Sequence, residues 1–141
     1  MKLKFIVPWL MLSFFAFAED PPLSPQIQGE VRFVSGGIGY REREAMQVMR
    51  ADYNLLLLFA EKGTGNYLSD VQVVVKDQSG HTVMETVADG PMLFAKLSPG
   101  HYSVEADHNG HSIAKIVNVG SQRQTSLSFA WPAQPGDQSD R

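Results

Sequence analysis

Residues 102–119 read YSVEADHNGHSIAKIVNV and decide the fold class of this chain. Asn109-Gly110 separates two runs in which apolar and polar side chains alternate, as they do in half-buried strands. Asn-Gly is also the pair that best accepts the two positive φ angles of a type I′ turn. The stretch therefore predicts an antiparallel hairpin. Its opposed pairs are expected to be His108 with His111, Ala106 with Ile113, Val104 with Lys115, and Tyr102 with Val117.

Lys115 is the residue of this hairpin that does not suit the predicted register. Its partner Val104 and the other inward pairs are apolar, as expected of a face turned toward a core. A lysine is rarely buried there unless its charge is paired. The position therefore predicts either a sheet edge or a neighbouring β-bulge.

The rest of the chain after residue 53 has the same β character. Leu55–Phe59 is a short continuous apolar run, which is typical of a strand buried on both faces. Short apolar segments then recur about ten residues apart, separated by turn residues, and this spacing favours a sandwich over βαβ units. The seven predicted strands are Leu55–Phe59, Val71–Lys76, Val83–Val87, Met92–Leu97, Tyr102–Ala106, Ile113–Val119 and Leu127–Trp131.

One short helix is predicted ahead of these strands, at residues 40–50. This segment, beginning YREREAMQVM, contains good helix formers and follows the glycine-rich turn SGGIG at residues 35–39. Ala45, Met49 and Tyr53 fall on one face of this helix, with Met46 beside them.

The glycine-rich turn could instead cradle a phosphate, as G-x-G-x-x-G loops do. Gly37-x-Gly39 is followed by Glu42 where the third glycine of that motif belongs, and no P-loop lysine follows. A carboxylate at this position would also repel phosphate. The turn is therefore interpreted as a plain helix entry.

Composition excludes several classes of protein. The 141 residues are 43% hydrophobic and 19% charged, which suits a single domain with its own core. The chain has no cysteine, so disulfides, thiolate metal sites, Fe–S clusters and a cysteine nucleophile are excluded. The formal net charge of -3 argues against a nucleic-acid binder, which needs a basic surface.

The first 18 residues have the three parts of a secretory signal peptide. Lys2 and Lys4 precede an apolar run at residues 5–17, and the segment ends in Ala16-Phe17-Ala18. The run is too short for a membrane-spanning helix, which needs about 20 residues. We therefore expect cleavage after Ala18, a periplasmic or secreted protein, and no integral membrane anchor in the mature chain.

The mature chain is predicted to have three parts. Residues 19–28 are rich in proline and are interpreted as a linker or extended arm. Residues 29–131 form the domain, with the sandwich at residues 53–131, and residues 132–141 form a disordered tail. Removing residues 1–18 takes two lysines and no acid, leaving ten basic and fifteen acidic side chains and a charge of -5.

The opposed histidines suggest a metal site. Directly paired residues have Cβ atoms about 5 Å apart, so His108 and His111 could both reach one ion. A closed site needs further ligands. Asp107 points to the other face, His101 lies too far back, and His81 could join only if the strand ends meet. The alternative is a pair of solvated turn residues.

Catalytic patterns are weak in this sequence. It contains neither a G-x-S-x-G elbow nor an H-E-x-x-H motif. Glu85, Glu105 and Asp107 sit at alternating strand positions, where a solvated face is the simpler interpretation. Trp131 is expected to pack at the rim of the core rather than to bind a ligand. No catalytic residue and no cofactor are predicted.

Leu97-Ser98-Pro99-Gly100-His101-Tyr102-Ser103-Val104 resembles the L-x-P-G-x-Y-x-V stretch of carboxypeptidase regulatory-like domains. Its setting is similar, with Tyr67-Leu68-Ser69-Asp70-Val71 upstream, turns at Gly80 and Gly90, and Phe94. The resemblance covers about residues 53–131. It implies a mainly β, seven-stranded Greek-key sandwich of the transthyretin-like (prealbumin-like) kind, here preceded by one short helix. A buried Tyr102 would then hydrogen-bond back across the Pro-Gly corner.

The resemblance implies a non-enzymatic accessory module that binds a protein or a cell-envelope component. The metal- or pH-responsive module using His108 and His111 is the alternative. A transthyretin-like hydrolase is more remote: 5-hydroxyisourate hydrolases end in Tyr-Arg-Gly-Ser, whereas this domain closes with Leu127-Ser128-Phe129-Ala130-Trp131. The sequence indicates neither a specific partner nor an oligomeric state.

Overall fold

A computed structural model describes residues 23–133 of the chain. The predicted signal peptide, residues 19–22 of the arm and residues 134–141 of the tail lie outside this part. Within it, no helix has the length and apolarity needed to cross a bilayer. The strands are β1 Gln26–Gln28, β2 Val31–Gly36, β3 Leu55–Glu61, β4 Val71–Asp77, β5 Thr82–Ala88, β6 Met92–Lys96, β7 Gly100–His108, β8 His111–Val119 and β9 Thr125–Trp131; α1 spans Gly39–Met49, and a 3₁₀ turn follows at Arg50–Asp52.

The strands form two sheets with a shared core. One sheet has the order β1-β2-β6-β3-β9 and the other β5-β4-β7-β8. β3 runs parallel to β9 and antiparallel to β6. Alternate side chains of both sheets meet between them, and the largest fully buried ones include Trp131, Phe33, Phe59 and Phe129. The chain is therefore mainly β, as predicted.

Helix α1 makes a third layer on the outer face of the five-stranded sheet. Met46 is completely buried against Val34, Leu56 and Phe94, and Ala45 and Met49 pack beside it. Tyr53 completes this apolar cluster under α1, which is separate from the core between the two sheets. Burial raises the pKa of the Tyr53 phenol. The continuous apolar run in β3 follows from this arrangement, because α1 covers one face of the strand and the sandwich core covers the other.

The structure has two strands that the sequence does not predict. All seven predicted strands are present as β3 to β9, but the count of seven is wrong because β1 and β2 raise it to nine. Residues 26–28, assigned to the linker, pair with β2, and Leu23 is 6% exposed in the cluster under α1. The folded part thus begins before residue 29.

The hairpin has the predicted register. His108 is opposite His111, and Val104 is opposite Lys115. Asn109 and Gly110 both have positive φ angles, of 52° and 86°, as the type I′ turn requires.

Lys115 can occupy an inward position because its strand lies at the edge of the sheet. β8 is the last strand of its sheet, beside β9 at the end of the other. The Lys115 ammonium donates a 2.6 Å hydrogen bond to the Ser128 carbonyl and lies 5.2 Å from the centre of the Phe129 ring. Lys115 therefore covers the open side of the core and joins the two sheets.

The Pro-Gly corner is built as the resemblance implies. The Tyr102 hydroxyl donates a 2.7 Å hydrogen bond to the Ser98 carbonyl, four residues upstream. Tyr102 is 9% exposed, and burial raises the pKa of its phenol. The bond fixes the path by which the chain passes from β6 to β7.

Asn54 holds the same end of the sandwich and is the only buried polar residue in the described part. Its amide donates to the Leu97 carbonyl at 2.8 Å, and its Oδ1 accepts from the Leu97 N–H at 2.9 Å. A longer bond of 3.3 Å reaches the Gly120 carbonyl. One side chain thus joins the start of β3 to the β6–β7 and β8–β9 connections.

Candidate functional site

The two histidines of the hairpin are directly opposite each other, and both contact Trp131, one through its ring and the other through its backbone carbonyl. The His108 ring is 5.7 Å from the Trp131 ring, tilted against it. The Trp131 indole is 2% exposed and donates a 2.8 Å hydrogen bond to the His111 carbonyl. The prediction that Trp131 packs at the rim of the core is confirmed, and the hairpin lies over it.

Further metal ligands do not gather at this hairpin. The Asp107 carboxylate accepts bonds from the Gly110 N–H at 3.1 Å and the Ser112 hydroxyl at 2.6 Å, so it serves the turn. Among residues 23–133, no three His, Asp or Glu side chains are grouped closely enough to hold a metal ion. The structure therefore brings together His108 and His111 and adds no third ligand.

His81 belongs to the opposite end of the same sheet. β4 and β7 are antiparallel, with Asp77 opposite Tyr102, so the turn after β4 lies about 20 Å from His108 at ~3.3 Å per residue. The His81 ring is 3.7 Å from the Asp77 carboxylate. Backbone N–H groups, His81's first, hold the pKa of Asp77 below its usual range. This pair orders the β4–β5 turn.

The glycine-rich turn is a helix entry, as predicted. Oε1 of Glu42 accepts hydrogen bonds from the backbone N–H groups of Gly37 and Ile38, both at 3.0 Å. A bound phosphate would need these donors, and the carboxylate already uses them. Gly90 has a packing role beside this turn, because a Cβ added there would overlap the backbone carbonyl of Gly36.

The polar side-chain atoms buried in the described part all serve the fold. None of its buried side-chain nitrogen or oxygen atoms lacks a hydrogen-bond partner. The acidic positions singled out in the sequence lie on the surface, where Glu85 and Glu105 are exposed.

One candidate surface is a groove of about 320 Å³ at the start of α1, here called the Tyr67 groove. Large apolar side chains are exposed on it, since Ile38 is 56% exposed and Tyr67 54%. Arg43 of α1 adds a positive charge to the same wall. Its full lining is Gly37, Ile38, Gly39, Arg43, Tyr67, Leu68, Ser69 and Pro91.

The backbone around this groove is firmly held. Tyr67 forms a β-bridge with Ala60, and the Leu68 N–H donates to the Phe59 carbonyl at 3.1 Å. The opposite wall is fixed by the Glu42 bonds to the glycine-rich turn. The exposed side chains thus stand on a preorganised backbone, which lowers the entropic cost of binding.

Sequence reasoning missed the Tyr67 groove because its parts are far apart in the chain. In the sequence, Tyr67 belongs to the segment that carries the family resemblance and Ile38 belongs to a turn, and nothing in the sequence brings the two together. Exposed tyrosine and arginine are enriched among residues that dominate protein interfaces. The groove presents apolar side chains, an aromatic ring and one positive charge.

Comparison with known proteins gives no assignment: no family model matches the chain, and no curated protein is significantly similar to it.

Proposed function

We propose that the chain is an exported, non-enzymatic accessory module that binds a protein of the cell envelope through the Tyr67 groove. The observation that carries this proposal is the exposure of Ile38 and Tyr67 in one groove on a rigid backbone. Apolar side chains that are exposed together in one groove often mark an interaction site. The signal-like segment at residues 1–18 supports export to the periplasm or beyond.

The family part of the proposal is a carboxypeptidase regulatory-like domain of the transthyretin-like kind. Three observations support it. Without β1 and β2, the remaining seven strands form a three-stranded and a four-stranded sheet. The chain crosses between these sheets after β3, β5, β6 and β8, as in a Greek key. The hydroxyl of Tyr102 bonds back across the Pro-Gly corner.

Binding is tested by site-specific photo-crosslinking in cells. A photoreactive side chain at position 67 should give one discrete adduct in the envelope fraction, identified by mass spectrometry and reproduced with the purified partner. The same group at Ile116, which is 77% exposed on the other sheet, is the matched control. Equal labelling from both positions, or reproducible turnover by the purified chain with no partner, would refute the proposal.

Export has its own test. N-terminal sequencing of the protein recovered from the periplasmic fraction should begin at Glu19. A chain that retains Met1 or stays in the cytoplasm would contradict export while leaving the binding groove to be judged by the crosslinking.

A metal-responsive module is the second candidate, favoured by the direct opposition of His108 and His111. Calorimetric titration with Zn²⁺, Cu²⁺ and Ni²⁺ tests it, using the full chain and a His108→Ala/His111→Ala variant. Heats that vanish in the variant would support this function. Identical heats for the two proteins would end it.

A further inference from the structure

A second groove lies at the other end of α1, between the helix and β9. It encloses about 170 Å³ and is here called the Arg50 groove. α1 has 11 residues, which separates its two ends by about 16 Å at 1.5 Å per residue. The Arg50 groove is therefore distinct from the Tyr67 groove, and the inference below does not rest on the proposed function.

The floor of the Arg50 groove is apolar because α1 covers only part of the sheet. Leu58 and Met92 are directly opposite each other on β3 and β6 and face the same side as α1. Both are partly exposed, whereas Phe94, closer to the helix, is 4% exposed. An apolar group placed here would complete the burial of these side chains.

The walls of the groove are polar and carry a charge. Gln47 and Arg50 come from the helix side, and Ser126 and Ser128 from β9. Within residues 23–133, the Arg50 guanidinium makes no ion pair and no hydrogen bond. A free guanidinium beside an apolar floor is suited to a ligand that joins an apolar group to a carboxylate, which arginine can bind with two parallel hydrogen bonds.

The size of the groove limits the ligand. A volume of 170 Å³ is below the ~300–1,000 Å³ of ordinary small-molecule pockets. It equals roughly six water volumes at ~30 Å³ each, which suits one aliphatic side chain. The serine hydroxyls and the Gln47 amide offer hydrogen bonds that a peptide backbone can use and a plain acyl chain cannot.

We infer that the Arg50 groove binds the carboxyl terminus of a polypeptide that ends in an aliphatic residue, with its last side chain on Leu58 and Met92 and its terminal carboxylate on Arg50. Capture of a chain terminus is an established mode of peptide recognition. The occupant is thus defined by three features: a free carboxylate, an aliphatic last residue and a peptide backbone.

The test is fluorescence anisotropy with the full chain and a labelled peptide, Gly-Ser-Gly-Ser-Leu. The free-acid peptide should bind at least about tenfold more tightly than its carboxamide, since one hydrogen bond to a charged group accounts for a factor of that order. Arg50→Gln should weaken the free-acid peptide to the level of the carboxamide. Arg123→Gln, which removes an exposed arginine outside the groove, should change neither affinity.

Several results would overturn the inference. Equal affinity for the acid and the amide, no saturable binding at millimolar peptide, or equal losses in the two arginine variants would each do so. Hexanoate that competes as well as the peptide would refute the peptide assignment and indicate a simple carboxylate site. Changes in backbone and methyl NMR chemical shifts on addition of the peptide locate the binding site independently. They must centre on Leu58 and Met92, and changes centred on Tyr67 would place the ligand elsewhere.

Discussion

Replacing Asn54 by alanine tests whether one buried amide holds the end of the sandwich together. In the wild-type chain, the Asn54 side chain satisfies both the N–H and the carbonyl of Leu97, a residue that is 3% exposed. Alanine lacks both the amide nitrogen and the Oδ1 oxygen, so it leaves these two backbone groups of Leu97 without hydrogen bonds in a site that water reaches poorly. The longer bond to Gly120 is lost as well.

The expected loss follows from these contacts. Leaving a buried donor or acceptor unsatisfied costs about 1–3 kcal/mol per group, so at about 1.5 kcal/mol for each group the two Leu97 groups together predict a loss of about 3 kcal/mol. That is a large part of the roughly 5–15 kcal/mol available to a typical domain. Urea unfolding should show a midpoint about 1.5 M lower at an m value of about 2 kcal/mol/M. Asn118→Ala, at an exposed position, should change the free energy of unfolding by less than about 0.5 kcal/mol.

A second substitution separates lost hydrogen bonding from lost packing. Asn54→Asp keeps the shape, but an ionised carboxylate cannot donate to the Leu97 and Gly120 carbonyls. Burial beside these oxygens raises the pKa of the new carboxyl in the folded state, so the folded chain binds the proton more tightly and gains stability as the pH falls. The variant's deficit in unfolding free energy should therefore be smaller at pH 5 than at pH 7. A pH-independent deficit, or an alanine variant as stable as the Asn118 control, would refute this account of Asn54.

Three further predictions concern the turns and corners. Tyr102→Phe removes the hydroxyl bond to Ser98 and should lower the free energy of unfolding by about 1 kcal/mol, measured by urea unfolding; an unchanged value would show that the corner bond is dispensable. Gly90→Ala should cost about 2 kcal/mol or more through overpacking, because the new Cβ would overlap the backbone carbonyl of Gly36. Gly100→Ala, whose nearest contact is at 3.7 Å, is the matched control and should lose much less stability. Backbone hydrogen bonds lower the pKa of Asp77 in the folded state, so its carboxylate stabilises the fold above its usual pKa of ~3.9, and this contribution is lost as the pH falls through the lower folded pKa. The difference in unfolding free energy between wild type and Asp77→Ala should therefore shrink from pH 7 to pH 3. A difference that stays constant would contradict this account.

Local chemistry explains why most of the sandwich could be predicted. The Asn109-Gly110 turn defines its own register, because the positive φ angles at its centre leave one way to pair the flanking residues. β3 to β9 carry alternating or continuous apolar patterns bounded by turn residues, and each pattern is visible within a window of a few positions. These signals do not depend on where the rest of the chain lies.

The missed elements depend on distant contacts instead. β2 is buried on both faces, under α1 and over the core, so Val34 breaks the alternation that Val31 and Phe33 begin. β1 has only three residues and is a strand because β2 is beside it. Asn54 bonds to a residue 43 positions away, and the Tyr67 groove joins three separate segments. No local sequence pattern encodes such long-range contacts.

The side chains at the sheet edges bear on how partners bind. An exposed edge strand invites pairing with another chain, and this cysteine-free protein has no disulfides with which to protect one. At the edge strand β5, the Gln28 amide donates to the Glu85 carbonyl at 2.7 Å and accepts from the Glu85 N–H at 2.9 Å, taking the place of a neighbouring strand.

The opposite side of the sandwich is closed in the same manner. Lys115 bonds from β8 to the backbone of β9, and Trp131 bonds from β9 to the backbone of β8. The remaining edge strand in the described part, β1, has three residues and offers little length for pairing. Strand addition is therefore disfavoured at all four edges. Binding through the faces of the molecule is therefore favoured over strand addition, and the grooves at the two ends of α1 are two such surfaces that combine apolar side chains with an arginine.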